Sequence, residues 1–581
     1  MNVKMKTLGK RILRQIAANP EKYIFYGMLF ASMFILYLSL RLLLRVEGHS
    51  WFFVFKSVFS DTSFAFLFCL LFRNKWKIVV LFVPLIIYFL ILANDLYFSN
   101  FGDLLPGVYY AAPRLDDEFV IRSTIATLTP NHLFRLIVAL LPAIYALGWV
   151  GFKKFSQFNS DKFLIWGDIV LLLLSWGLIY YSLVKGYYDY KGKLKFGEPI
   201  SLAYEENWLG NKYNYDRMNF TNYLIKSGGR IYEMVTGKDK IDLTSEQFEE
   251  IKTFLETNTK ENKTSPTEGA TPENIILIVV ESLPSKVIEL DSIYRITPFI
   301  HSLINDETTL YVNCKNLTES GGSSDAQFMY NTGLLPLKNE ALVHHYAKND
   351  YPSLAKAFQG QGIQIIGETT QTWNQDITYQ SYGFSALYDR TAHGGYNQDS
   401  LIFEKSVDKL KELKPPFYSF IGTTKMHDPF NNDHAPFRLL DWDKLPSQDS
   451  NDIEYFERTR RFDDALRNLI SSLKKIGLYD NTLIVIAGDH PIRKEHISEL
   501  LWDDRVPLII LNSNRGKVAD REYTQADVFP TILSIMNLDY KYQGIKYTGV
   551  GRSIFTGSTA PSIMPSDKAY EISSWLIRRK N

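Results

Sequence analysis

The chain reads as an α-helical membrane domain of five spans followed by an α/β domain built on a mostly parallel central sheet. Three observations predict this. Five apolar runs of spanning length fall within the first 187 of 581 residues. Residues Ile275 to Val280 are six consecutive apolar side chains, five of them β-branched, as in a strand buried on both faces. Beyond them, strand-like runs alternate with amphipathic helical patterns, which is the signature of an α/β domain.

The apolar runs lie near 23–45, 52–72, 78–98, 132–152 and 163–184, and the second is the least regular because it contains Lys56 and Asp61. The first is too long for a cleaved signal peptide, and others follow it. Lysine and arginine orient the domain. Lys4, Lys6, Lys10, Arg11 and Arg14 precede the first span; Arg73, Lys75 and Lys77 separate the second from the third; Lys153, Lys154 and Lys162 separate the fourth from the fifth. These three segments alternate consistently, so the N-terminus is expected in the cytoplasm. The loop 99–130, with Asp103, Asp116, Asp117 and Glu118, is then outside, and five crossings deliver everything after Tyr187 to the extracytoplasmic face.

Residues 188–272 are expected to hold juxtamembrane helices and a polar linker. Thr244 and Gln247 have capping-box spacing and open a helix through Phe254, while Thr257 to Glu273 is nearly devoid of apolar side chains. The α/β domain is expected over 273–560 and a tail over 561–581. A formal charge of +1 gives no bulk basic surface for nucleic acid. Two cysteines, Cys69 and Cys314, give no disulfide framework.

Candidate strands are 275–280, 309–314, 363–366, 417–421, 482–487 and 507–511, and Phe462, Leu466, Leu469, Ile470 and Leu473 mark a helix packed on the sheet. Ligands of open α/β sheets bind beyond the carboxyl ends of the strands, so the residues after each strand carry the functional signal. They are Glu281, Glu368, His427 followed by Asp428, and the adjacent pair Asp489 and His490. Two carboxylates, an Asp-His pair and a further imidazole form a donor set suited to a divalent metal. After strand 309–314 comes Ser-Gly-Gly-Ser-Ser-Asp at 320–325, where Ser323 or Ser324 opens a helix and feels the positive end of its dipole. Such a hydroxyl is either a nucleophile beside the metal or an ordinary helix cap.

Taken together, these residues resemble the alkaline phosphatase/sulfatase superfamily, and within it the lipoteichoic acid synthase-like membrane transferases. The likeness spans about 272–556 and includes Glu281-Ser282, Thr297-Pro298-Phe299, Gly321-Gly322-Ser323-Ser324-Asp325, Trp373-Asn374, His427-Asp428-Pro429-Phe430, Gly488-Asp489-His490, Val506-Pro507-Leu508 and Gln525-Ala526-Asp527-Val528-Phe529-Pro530-Thr531. The resemblance implies that Glu281, Ser323, Asp489 and His490 hold one divalent metal, manganese first, with magnesium or zinc as alternatives. It places Ser323 where the family has its nucleophilic threonine, and Glu368, Trp373, Gln375 and His427 along the phosphate and headgroup pocket. Gln375 stands where the synthases have an arginine. Losing that guanidinium removes a bidentate phosphate clamp, so a different donor headgroup or acceptor is expected.

The implied activity is transfer of a phospho-headgroup, phosphoglycerol or phosphoethanolamine, from a phospholipid donor to an envelope glycan, glycolipid or polymer through a covalent serine intermediate. The enzyme would be a multi-pass protein of the cell membrane with its catalytic domain outside. A membrane-anchored phosphodiesterase or phosphatase, with water as acceptor, uses the same residues, and a non-catalytic sensor or scaffold would not need all four ligands. Sulfatases need Cys or Ser followed by x-Pro-x-Arg, which Ser323-Ser324-Asp325-Ala326-Gln327 is not.

Overall fold

The computed structural model describes residues 14–43, 51–74, 76–101, 128–158, 162–191, 220–221, 223–224, 232, 236 and 240–262. It also describes 271–580 apart from 320, 339–340, 359–360, 368–373, 390–397, 428–429, 431–437, 493–496, 515–517 and 557–564. The chain forms two compact units, one holding the N-terminal helices up to Val235 and the other Thr236–Asn581.

Where five spans are expected there are five helices: α1 (Pro20–Leu43), α2 (Trp51–Phe72), α3 (Lys77–Phe101), α4 (Pro130–Ile144, continued by a π-helical turn Tyr145–Val150) and α5 (Lys162–Lys191). Four of them, over Pro20–Leu42, Val54–Phe72, Lys77–Leu96 and Pro130–Val150, are long and apolar enough to cross a membrane; the apolar stretch of α5 among the described residues, Leu164–Ile179, is shorter. The charges in these helices face inward. Lys56 and Asp61 are buried, and Asp61 accepts the backbone N–H groups of Phe220 and Thr221 at 3.0 and 2.7 Å. Asp95 of α3 meets His132 and Arg135 of α4. Ionisable residues at membrane depth are costly unless paired in this way.

In the second unit α6 (Ser245–Glu261) opens on the expected capping box, with Gln247 N–H on Thr244 Oγ1 at 3.1 Å and Thr244 N–H on Gln247 Oε1 at 3.0 Å. It continues past Phe254 into the segment expected to be a linker. The reason is that Asn258 and Asn262 are buried hydrogen-bonding groups rather than solvated ones: Asn258 Nδ2 donates to the carbonyls of Gly549 and Gly551 at 2.7 and 2.9 Å, and Asn262 Nδ2 to Gly551 at 3.0 Å.

The sheet strands are β1 (Asn274–Val280), β2 (Leu310–Lys315), β3 (Gln361–Ile366), β4 (Ala386–Tyr388), β5 (Phe417–Gly422), β6 (Thr482–Gly488), β7 (Arg505–Leu511) and β8 (Tyr523–Thr524). Their order is β4-β3-β5-β1-β6-β7-β2-β8. Among the described strands of this sheet only β7 runs against its neighbours, so β3, β5, β1, β6 and β2 all end at one edge. The six expected strands are present; β4 and β8, of three and two residues, are too short to show a period.

Helices cover both faces. Ile275, Leu277 and Val279 point into one core with α6, α7 (Ser323–Thr332), α11 (Val528–Ile535) and α12 (Asp567–Arg578). Ile276, Ile278 and Val280 point into the other, with α9 (Asp399–Glu412) and α10 (Ser450–Lys475), while the short α8 (Gln375–Ser381) sits near the end of β3. The segment expected as a tail instead contributes α12, because Ala569, Ile572, Leu576 and Ile577 form an apolar face that the core accepts. Arg579 then bridges to Ile241 as a parallel pair. Ile572→Ala should therefore lower the melting temperature of the full chain in detergent, with a loss of about 2–5 kcal/mol for a buried large-to-small change. Glu571→Ala, on the exposed side, should not. Equal melting of both variants would mean that α12 adds nothing to the core.

Candidate active site

β1 and β6 pair in parallel with Val280 opposite Gly488, so the next residue of each strand, Glu281 and Asp489, leaves the sheet at the same level. Asp489 N–H donates to Val280 O at 3.0 Å, which closes the ladder. Ser282 then turns sharply, with φ of 50°, a left-handed conformation that a non-glycine residue holds only under constraint. Its N–H donates to Asp489 Oδ1 at 2.7 Å and its hydroxyl to Glu281 Oε1 at 2.6 Å. Gly488 is required here, since a Cβ would lie 2.5 Å from the carbonyl oxygen of Leu283.

His490 Nδ1–H donates to the carbonyl of Pro491 at 2.9 Å. That bond fixes the tautomer and leaves Nε2 with its lone pair. Nε2 lies 3.5 Å from Glu281 Oε1, 3.6 Å from Asp489 Oδ2 and 3.2 Å from Ser323 Oγ. Ser323 Oγ also donates to Glu281 Oε2 at 3.2 Å. The structure thus brings together the four residues expected to share a metal. Ligand atoms of Glu281, Asp489 and His490 lie within 4.8 Å of one another, and all three residues are buried.

Ser323 is the first helical residue of α7, and Gly322, at φ of 50°, takes the cap position. Ser324 is not the cap that its position in Ser-Ser-Asp suggests. Its hydroxyl is buried and donates back to the carbonyl of Gly321 at 2.9 Å. Asp325 orders the turn, accepting the N–H groups of Glu319 and Gly321, each at 2.9 Å. A Cβ on Gly321 would sit 2.1 Å from that carboxylate, so the turn admits only glycine there.

Two residues without an assigned role in the sequence register α7 against the ligand turn. Gln525 Nε2 donates to the carbonyl of Asp489 at 2.5 Å and to Tyr330 Oη at 2.9 Å, while its Oε1 accepts Leu317 N–H at 2.6 Å. Tyr330 donates to the carbonyl of Gly488 at 2.5 Å. The signal for Gln525 was its place at the head of Gln-Ala-Asp-Val-Phe-Pro-Thr; nothing local marks Tyr330.

His427 is half-buried on the loop leaving β5 at the same edge. Asp399 accepts the N–H groups of Thr424 and Lys425 at 3.2 and 3.3 Å, and Arg458 Nη1 donates to the carbonyls of Lys425 and His427 at 3.2 and 2.9 Å. Gln375 is not with the four ligands. It is buried, and its amide is bonded to Gln327 and Gln364, which differs from its expected place along a headgroup pocket. Glu368 and Trp373 lie outside the described residues.

The donor set fits a divalent cation: two buried carboxylates, an imidazole with its lone pair aimed at them, and a hydroxyl. Burial, and then the charge of Glu281, push the Asp489 carboxyl up from 3.8 to about 6. A raised pKa means that the metal-free fold holds this proton more tightly than the unfolded chain. The contribution is full below the ordinary value and is lost as pH rises through about 6. Metal-stripped protein should therefore lose melting temperature from about pH 4 to about pH 7, and Asp489→Asn should flatten that slope. Added Mn²⁺ at the upper pH should restabilise wild type and not the variant. Parallel slopes in both proteins would remove Asp489 as the source.

The Sulfatase family pattern matches residues 273–538. The chain is 25% identical over 522 residues to lipoteichoic acid synthase 2 of Bacillus subtilis, covering 84% of this chain and 76% of that protein. It is 25% identical over 529 residues to the lipoteichoic acid synthase of Staphylococcus aureus, with the same 84% and 76% covered. Among solved structures, lipooligosaccharide phosphoethanolamine transferase A of Neisseria meningitidis, an integral membrane protein, has the same fold. Its TM-score is 0.51 at 12% identity, over 91% of this chain and 98% of that one. Glu281, Ser323, Asp489 and His490 all lie within the matched stretch, and the chain is thus similar to lipoteichoic acid synthases over 84% of its length and carries a Sulfatase-type domain.

Proposed function

We propose that this enzyme is a metal-dependent phosphotransferase that moves a phospho-headgroup, phosphoglycerol or phosphoethanolamine, from a phospholipid to a glycan, glycolipid or polymer of the cell envelope. One observation carries the reading: a half-buried hydroxyl, Ser323 Oγ, lies 3.2 Å from both Glu281 Oε2 and His490 Nε2 at the start of α7. Ser323 attacks the headgroup phosphorus; a P–O(Ser) bond forms, the P–O bond to diacylglycerol breaks, and the proton given up by Ser323 ends on the diacylglycerol oxygen, which leaves as the alcohol. The Ser323 O–H already donates to Glu281 Oε2, so its proton has an acceptor in place. An acceptor hydroxyl then attacks the same phosphorus, the P–O(Ser) bond breaks, and the proton lost by the acceptor returns to the Ser323 oxygen. Glu281, Ser323, Asp489 and His490 would hold a divalent ion, manganese first, which would supply Lewis-acid polarisation of the phosphoryl oxygen and lower the hydroxyl pKa.

The names of the relatives support a transferase of envelope material. His427, with Glu368 and Trp373, is our candidate for headgroup contact, since His427 follows β5, the neighbour of β1, and the other two follow β3, the next strand out. Glu368, an anion near the end of β3, suits a headgroup that brings an ammonium. The membrane helices keep the catalytic unit beside its lipid donor at high effective concentration. The alternating basic segments support a cell-membrane protein whose catalytic unit is extracytoplasmic, with α5 as the fifth crossing.

Ser323→Ala should abolish turnover, whereas Ser324→Ala should cost modest stability, about 1 kcal/mol for one hydrogen bond, and leave turnover nearly intact. Mass spectrometry after incubation with phospholipid should find the phospho-headgroup on the Ser323 peptide. An adduct on Ser324 would move the role one residue along, and full activity in both variants would end the covalent mechanism. For topology, Gln157→Cys should label from the cytoplasm and Ser245→Cys from outside; labelling from one side only would exclude an odd number of crossings between them.

A further inference from the structure

Gln375, which the resemblance sets where the synthases have an arginine, has surroundings that assign it a role other than headgroup contact. It opens α8 and is 6% exposed. Its Nε2 donates to Gln327 Oε1 at 2.7 Å, and its Oε1 accepts Gln327 Nε2 at 2.9 Å, a reciprocal amide pair. The same Oε1 accepts Gln364 Nε2 of β3 at 2.7 Å. Gln327 is 5% exposed and Gln364 fully buried. The amide is therefore engaged inside the protein on both its oxygen and its nitrogen.

Gln327 lies four residues after Ser323 on α7, one turn along the same helix face. Four residues further, Asn331 Oδ1 accepts the hydroxyl of Tyr418 at 2.8 Å. Ser323, Gln327 and Asn331 thus form one stripe, and two of its members are bonded to side chains of the sheet and of α8. A helix held at successive turns of one face resists rotation about its axis. The direction of Ser323 Oγ at its N-terminus follows from that hold.

We propose that Gln375 is a positioning residue: its reciprocal pair with Gln327 sets the rotation of α7 and so aims Ser323, and an Arg-Glu ion pair across the same two positions can replace it. This rests on Ser323 as nucleophile. Two neutral amides satisfy each other without burying net charge, whereas one charged partner alone would be a buried, unpaired ion. A matched charged pair restores the balance and the bonds between the two positions; Gln364 loses its acceptor at 375, but its own buried Oε1 can accept from the guanidinium instead. Misplacing a reacting atom by about 1 Å costs about 100-fold in rate, so small rotations of α7 are consequential.

The test is a double-mutant cycle on the full chain in vesicles of phosphatidylglycerol and phosphatidylethanolamine, reading the rate of adduct formation on Ser323 at varied lipid fraction. Gln375→Arg and Gln327→Glu should each lower the maximal rate by about 10- to 100-fold with the lipid concentration at half-maximal rate little changed. The double variant Gln327→Glu/Gln375→Arg should recover to within about threefold of wild type, a coupling well beyond additivity. Gln327→Met, neutral and close in size, keeps the test open should a charged single variant fail to fold, and it too should lower the maximal rate alone. A double variant no faster than the product of the single effects would overturn the proposal. So would a change in half-maximal lipid concentration or in headgroup preference at unchanged maximal rate, which would return Gln375 to headgroup contact. Ser323→Ala separates the two readings: loss of the adduct with an additive cycle defeats only the positioning role, whereas an adduct that persists defeats the nucleophile itself.

Discussion

The parallel pairing of β1 with β6 forces two carboxylates into one buried place. Val280 faces Gly488, so Glu281 and Asp489 cannot separate without breaking the ladder at the centre of the sheet. Burial first, and then the like charge of Glu281, disfavour ionisation here, which is why the Asp489 carboxyl sits well above its ordinary range. The protein offsets part of this with donors. Ser282 and His490 N–H groups point at Asp489 and the Ser282 hydroxyl at Glu281, and a cation between the carboxylates would relieve the rest. Ser282, at φ of 50°, makes the sharp turn that follows this pair while its N–H and hydroxyl stay on the two carboxylates.

Around that fixed pair the remaining parts are mounted by hydrogen bonds from distant segments. Gln525, some 36 residues beyond Asp489, joins Tyr330 of α7 to the backbone of the ligand turn. Asp325 holds the glycine turn from beneath, and Tyr455 of α10 donates to the carbonyl of Ser282 at 3.0 Å. These side chains are buried and polar, so each is costly to leave unpaired and each specifies one arrangement of its neighbours. The outcome is a hydroxyl presented at a defined angle to two carboxylates and an imidazole. Electrostatic preorganisation of this sort lets an enzyme act on a developing charge without rearranging itself.

Much of this was legible in the sequence. The membrane helices, the six principal strands, the Thr244 cap and the residues after β1 and β6 follow from local chemistry: apolar length, β-branched runs and capping spacing act over a few residues. A parallel sheet also requires that the carboxyl ends of its strands share an edge, so Glu281, Asp489 and His490 could be grouped before any fold was known. Tertiary structure decided what depends on distant partners. Asn258 and Asn262 look like linker residues until the carbonyls of Gly549 and Gly551 meet them, and 567–578 looks like a tail until the core accepts Ile572. Ser324 looks like a helix cap, yet the turn around Gly322 directs its hydroxyl backward. Gln375 resembles a substitution in a substrate pocket, and only the folded chain brings Gln327, 48 residues away, to its amide. Periodicity and spacing report which faces are buried; they carry no information about which polar groups meet once those faces close.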